Sequence, residues 1–495
     1  MPTELYEEKP KVSYGKRRPR NRRPYLLPRK LKCDPSKEIN LDLVDKYITL
    51  HEKRVPRYEY LEALYEGFHD VFNAPEKEEW KPDNRLAVNF PRFLTESFVG
   101  YGYGNPIKVI VDDEEEQGFI NTFEDKNEID DHNTEMCKYC CCYGHAWEYF
   151  YQDEESRTRV KRIKPTNLFV VYEANLKERG FFMVRYGYED LNETGIKTRY
   201  GEVVTREWRR EFTGDKWSGE EEPNPYGLLP CVEWILNEER MGLYESIANM
   251  NEIYNHTLAE KANDIDAFAE AYMVILGAEV DEEGVHRIRD KRLINFYGTD
   301  NARDIVVQFL TKPTADGTQE NLLDRLEKLI FLISMVANFG DEAFGNASSG
   351  VSMAFKLLDM NNLTKTFNRK IQKSIKKRYK IFCSLSTNVP DSHKDMWERV
   401  KFTFNVNLPK NNLEESQIAN NLSGVVSRKT QLSVLSIVAD PQAEIEAMEE
   451  EEKNESEKGQ RYLDMYRLSK REVTDGEDET EVEAGDTGLD TGRTG

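Results

Sequence analysis

TADGTQENLLDRLEKLIFLISMVAN (314–338), FGDEAFGNASSG (339–350) and VSMAFKLLDMNNLTKTFNRKIQKSIKKRYKIF (351–382) follow one another without a break. In the first stretch Leu322, Leu323, Leu326, Leu329, Ile330, Ile333 and Val336 recur every three or four residues, which predicts a helix. Phe331, Leu332 and Met335 widen its apolar face to nearly the whole circumference, so it must be covered on most sides. The third stretch predicts a longer helix with Leu357, Leu358, Leu363, Phe367, Ile371, Ile375, Tyr379 and Phe382 on one side. Between them lie Gly340, Asp341, Glu342, Gly345, Asn346, Ser348, Ser349 and Gly350, a polar loop without hydrophobic periodicity. By residue type alone it is either an ordinary flexible connection or a loop held at a fixed place by two rigid helices.

Composition sets the frame. The chain has 495 residues, 38% hydrophobic and 32% charged, with a formal net charge of −22. Residues 1–32 hold 11 Lys/Arg against 3 Asp/Glu, whereas residues 443–495 hold 7 against 18. The acidic excess argues against a protein that coats DNA by neutralising phosphates. No run of 18 apolar residues exists, so no membrane span is expected. The N-terminus lacks the apolar core of a secretory signal. Seven irregularly spaced cysteines suit a reducing interior.

Outward from the central hairpin, residues 1–38 read as a basic extended arm and 40–66 as one helix. PDNRLAVNFPRFLTESFVGYGYGNPIKVIVDD reads as loop, short helix and strand, and 128–150 as a helix running into a strand. From 146 to 236 short aromatic and β-branched runs predict the main sheet. Residues 239–276 predict a long helix stopped by Gly277. Residues 278–312 read as compact and β-containing. ERVKFTFNVNLP predicts a strand, 412–455 helices, and the acidic tail after about 472 disorder.

Familiar catalytic patterns are missing. There is no GxxxxGK[ST] loop and no GxSxG, and the glycines of GYGYG do not open a βαβ unit. Cys137, Cys140, Cys141, Cys142 and His145 look like zinc ligands, with His132 nearby. Thiols packed so closely on a helix diverge, however, and no second CxxC closes a tetrahedral site. Small buried apolar residues are the better reading. No metal, no cofactor and no enzyme activity are expected. The basic helix, with Lys365, Arg369, Lys373, Lys376 and Lys377, suits either DNA phosphates or acidic faces of a neighbouring subunit. The chain's acidic excess favours the second.

Several motifs together carry a resemblance. LYEGFHDVF, NRLAVNFPRFLTESFVGYGYGNPI, YGHAWEYFYQDEE, IKPTNLFVVYE, NPYGLLPCVEW, ANDIDAFAEAYMVILG and DEAFGNASSGVSMAFKLLDMNNL, in this order over about 40–440, resemble siphovirus-type phage portal proteins, the head-to-tail connectors. The resemblance implies an α+β, predominantly helical portal fold with an α/β wing, helical stem, β-containing clip and helical crown. Carried over, the wing is 39–238 with the long helix and strand of 351–409. The stem is 239–276 and 313–338, the clip 277–312, the tunnel loop 339–350 and the crown 410–470. The arm 1–38 and the tail 471–495 have no counterpart. It further implies a ring, usually of twelve copies, assembled in the host cytoplasm and placed at one capsid vertex of the virion. Double-stranded DNA would pass through it in packaging and ejection. Partners would be the terminase large subunit, a head–tail connector, and the major capsid and scaffolding proteins. The alternative readings are another capsid-associated adaptor ring and, from a different class, a DNA-processing nuclease.

Overall fold

The computed structural model describes residues 30–78, 81–189, 197–269, 273–276, 306–309, 316–340, 350–407, 412–435, 437–438 and 441–474. They divide into two compact units between residues 407 and 408. The basic segment 1–29, most of the expected clip, loop residues 341–349 and the tail 475–495 lie outside the described residues.

The first unit opens with strand β1 (Leu31–Cys33). Helices α1 (Leu41–Glu52) and α2 (Val55–Glu66) follow, where the sequence suggested one. Pro56, at the first turn of α2, has no N–H to continue the ladder, so the chain restarts there. Asn40 caps α1 by accepting from the Leu43 amide at 2.9 Å. Next come α3 (Phe90–Tyr103), β2 (Lys108–Ile110), α4 (Glu114–Asn127) and α5 (Ile129–Tyr143). The sheet region is β3 (His145–Gln152), β4 (Thr158–Ile163), β5 (Leu168–Glu173), β6 (Gly180–Glu189), β7 (Thr198–Val204), β8 (Trp208–Thr213), β9 (Lys216–Trp217), β10 (Glu222–Pro223) and β11 (Cys231–Ile235).

These strands make two sheets. The larger runs β1-β5-β6-β7-β8-β10 with β9 on β8, and the smaller runs β11-β3-β4. All pairs are antiparallel except β1 with β5, where Leu31 stands opposite Val171. Thus the end of the expected arm is a sheet strand, and Lys30 and Lys32 both pair with Glu178. Helix α1 closes one sheet face. Val44, Tyr47 and Ile48 share a core with Phe169, Val171, Phe182, Val184, Val203 and Phe212. Each such side chain contributes about 1.5–3 kcal/mol of burial.

Gly144 turns α5 into β3 with φ +84°. A Cβ there would stand 2.2 Å from the Arg240 carbonyl. Gly144→Ala therefore combines left-handed strain with a backbone clash and should cost about 2–5 kcal/mol, read as loss of thermal stability. An unchanged melting temperature would contradict this packing.

The expected helix over 239–276 is shorter. It is α6 (Ala248–Ala269), followed by β12 (Met273–Leu276), which pairs antiparallel with β13 (Val306–Phe309). The MVIL run reads equally well as helix or strand, and the matching VVQF run decides it. Then come α7 (Asp316–Ser334), α8 (Gly350–Lys356) and α9 (Leu358–Phe382), so the expected helix over 351–382 breaks at Leu357. The strand expected in ERVKFTFNVNLP is the short β14 (Lys401–Thr403), after α10 (Met396–Arg399), and it pairs with β2. The second unit holds α11 (Asn412–Asn421), α12 (Arg428–Leu432) and α13 (Pro441–Thr474). The mixed α+β class is as expected.

Candidate functional site

The first helix of the central hairpin, α7, packs against α6. Tyr254 lies near Asp324 and Glu327, and Lys261 pairs with Glu320, so the two helices run antiparallel. Leu323, Leu326 and Ile330 on α7, and Val336 just past its end, are buried. Phe331 packs edge-on against Phe90 and Phe93, each at 6.0 Å, which fixes α7 on the start of α3.

Helix α6 is held by an asparagine ladder that the sequence did not reveal. The side-chain oxygens of Asn263, Asn255 and Asn251 accept from the backbone amides of Asn84 at 2.5 Å, Val88 at 2.8 Å and Phe90 at 3.3 Å. Together with Ala259 these residues fall at four-residue steps on one face, and all are buried. They satisfy an extended backbone that no sheet covers. Glu252 adds bonds to His69 Nδ1 at 3.0 Å and to the Asp70 amide at 2.9 Å. The signal was the four-residue spacing, masked because asparagine reads as a turn residue.

Both helices also present apolar side chains to solvent. Ile253 and Ile265 on α6 are 51% and 59% exposed, and Leu332 on α7 is 66% exposed, beside exposed Leu322 and Ile333. Past α7, Met335 takes φ +58°, a left-handed conformation that a side-chain-bearing residue adopts at a cost. Gly340 follows in an exposed turn, its amide donating to Asn338 Oδ1 at 3.1 Å. Gly350 opens α8. The other named loop residues, Asp341, Glu342, Gly345, Asn346, Ser348 and Ser349, lie outside the described residues.

Helix α9 is sharply two-faced. At about 100° per residue, Lys365, Arg369, Lys373, Lys376 and Lys377 share roughly a third of its circumference. All five are exposed or partly exposed. The opposite side buries Thr364, Phe367, Ile371, Ile375 and Phe382. One cation of the same helix lies off that basic face: Arg378 is fully buried. Its guanidinium pairs with Glu148 on β3 at 2.7 Å, bonds Asn133 on α5 at 2.7 Å and lies over the Trp234 ring. His132 Nε2 meets Glu148 at 2.9 Å and Trp234 Nε1 donates to it at 3.3 Å. Burial alone would raise the Glu148 carboxyl, but Arg378 and His132 outweigh it and hold it down to about 2. The network locks α9 to α5 and both sheet-side strands.

Cys137, Cys140, Cys141 and Cys142 are all buried on α5, where they pack as small apolar residues. His132 and His145 face carboxylates instead. Among the described residues no three His, Cys, Asp or Glu side chains are grouped to hold a metal. No helix among them is long and apolar enough to cross a membrane.

Residues 44–458 match the model of the phage portal protein family of the SPP1 Gp6-like type. The chain belongs to this family. It is 20% identical over 414 residues to the portal protein of Bacillus phage SPP1, covering 79% of this chain and 80% of the relative. The portal protein of Clostridium phage phiCD119 is 20% identical over 383 residues, covering 72% and 83%. Among solved structures, a chain from the neck of an empty GTA particle aligns with a TM-score of 0.42 at 10% identity, over 71% of this chain and 90% of that one.

Proposed function

We propose that this chain is the subunit of a closed ring at a capsid vertex, through which double-stranded DNA is packaged and ejected. The observation that carries this reading is the antiparallel α6/α7 pair. Its outward Ile253, Ile265, Leu322, Leu332 and Ile333 need an apolar neighbour, and a second copy of the same pair supplies one at every subunit of a ring. In this reading α6 and α7 are the stem that walls the channel. The sheets with α1–α5 and α9 form the wing, the β12/β13 ribbon begins the clip, and α11–α13 belong to the crown. The ring has about twelve copies, as the family resemblance implies.

Residues 339–350 are the tunnel loop on the channel axis, where glycines allow movement and Asp341 and Glu342 disfavour tight phosphate binding. The basic face of α9 meets an acidic face of the neighbouring subunit. The clip is the docking surface for the terminase large subunit, which supplies the ATPase, and later for the head–tail connector. The wing faces capsid and scaffolding proteins. The chain itself is structural.

Native mass spectrometry with electron microscopy tests the reading. A closed ring with an axial channel that binds terminase is the expected result, and a monomer in every buffer would overturn it. Leu332→Asp places a charge on the exposed apolar strip. It should leave the melting of the isolated subunit unchanged while weakening ring assembly at least about tenfold, ~1.4 kcal/mol per contact. Undiminished assembly would remove α7 from the interface.

A further inference from the structure

The basic side of α9 is a charged surface that the described fold leaves unmatched. Lys365, Arg369, Lys373 and Lys377 recur every four residues there, and all four are exposed. Four residues advance a helix by about 6 Å, so this stripe is straight and runs for about 18 Å. Among the described residues none of the four has an ion-pair partner, while Lys370 beside them takes Glu238. Lys373 and Lys30 add positive charge around Lys377, and Glu233, the carboxylate within its electrostatic reach, is held by Arg240 at 2.6 Å. Solvent and salt, or an anionic occupant, must offset the repulsion along the line.

The chain carries a polyanion whose spacing fits. Residues 475–495, outside the described ones, contain eight Asp/Glu against a single Arg. Among them Glu477, Glu479, Glu481 and Glu483 stand at strictly alternate positions. In an extended backbone alternate side chains share one side at steps of about 6.6 Å, so four of them cover about 20 Å. That is four carboxylates against four cations, at nearly the same step. Helix α13 is acidic too, but no three of its carboxylates recur at four-residue steps, so it offers no comparable line. Duplex DNA is the competing polyanion. The net charge of −22 repels it, whereas tails that belong to the ring are present at high effective concentration.

We propose that residues 475–495 of one subunit lie extended along α9 of a neighbouring copy, with Glu477, Glu479, Glu481 and Glu483 set against Lys365, Arg369, Lys373 and Lys377. The inference rests on the ring reading and names the acidic surface that the basic side of α9 meets. Each exposed pair is weak, so the clasp acts through their number and loosens as salt screens it.

The test uses rings of the full chain assembled from ordinary and heavy-nitrogen-labelled subunits. A carbodiimide then joins lysines to the carboxylates they touch. Mass spectrometry should find Lys365, Lys373 or Lys377 linked to the tail, with a light peptide joined to a heavy one. Rings that form without such links overturn this inference alone, as do links confined to one chain. Failure to form rings overturns the ring reading and this inference with it. A charge swap supplies the second measurement. Reversing the stripe (Lys365→Glu, Lys373→Glu and Lys377→Glu) should lower the salt concentration at which rings dissociate by about twofold or more, because fewer attractive pairs remain to be screened. Reversing the four tail glutamates to lysine should do the same, and the two sets combined should restore the original tolerance. Losses that add instead of cancelling would overturn the pairing. So would stripe-dependent binding of duplex DNA by rings that keep their tails.

Discussion

Arg378→Met should destabilise the chain by roughly 3–5 kcal/mol, the largest single loss expected from any substitution on α9. Arg378 and Glu148 are both fully buried, and the arginine is the principal charge that holds Glu148 ionised. Methionine fills much of the space but strands a carboxylate among Trp234, His132 and Asn133. The double variant Glu148→Leu with Arg378→Met removes both charges and should recover most of the loss, because a buried ion pair is dear to break yet cheap to replace.

The pH dependence has a definite sign. Glu148 is depressed from 4.5 to about 2 in the folded chain. The unfolded chain therefore takes up this proton first on acidification. The contribution is complete above about pH 4.5 and fades as pH falls toward about 2. Arg378→Met should abolish that acid-side slope. Thermal unfolding of both variants from pH 7 to pH 3 measures this, and a single-variant cost below about 1 kcal/mol would show that the network is not what seats α9.

The second large effect is functional. Deleting residues 341–349, between the described ends at Gly340 and Gly350, should leave ring assembly intact and reduce DNA packaging or retention by at least about tenfold. The reasoning is positional. The apolar faces of α6, α7 and α9 lie outside the deletion, so the contacts proposed to build the ring survive. What is lost is the glycine-rich, weakly acidic segment proposed to meet DNA on the axis. Electron microscopy of purified rings, beside a DNase-protection packaging assay, separates the two outcomes. Normal packaging by such rings would sink the role of the loop, and loss of the rings would show the loop to be structural.

Much of this architecture could be read from residue order. The strands between 146 and 236 announced themselves by aromatic and β-branched runs, and α7 and α9 by spacing. Elements that lacked an apolar signature were missed. Helix α4 is acidic and buries little beyond Ile120 and Phe123, so only its Asp113 cap, which accepts from two amides, marks it. Strand β1 is three residues inside a basic run, and its place depends on partners about 140 positions away. Arg378 was hidden by its neighbours: seven exposed or partly exposed cations share its helix, although its spacing from Ile371, Ile375 and Phe382 puts it on the buried side. The α6 asparagines carry no hydrophobicity, so a search for apolar periodicity passes over their four-residue spacing. The exposed cations of α9 and the helices on either side of the 339–350 segment were legible, whereas the polar fittings that hold α6 and α9 in place depended on tertiary geometry.

The ribbon of β12 and β13 has an evolutionary consequence. Leu276 stands directly opposite Val306, so the chain leaves the hairpin and returns at one point. Whatever residues 277–305 contain, their entry and exit are clamped together, and the entropy of closing that segment grows only slowly with its length. The segment is thus a cartridge. It can lengthen, shorten or be exchanged without disturbing α6 or α7, so the part proposed to face the packaging motor and the head–tail connector is free to diverge while the helix pair behind it stays the same.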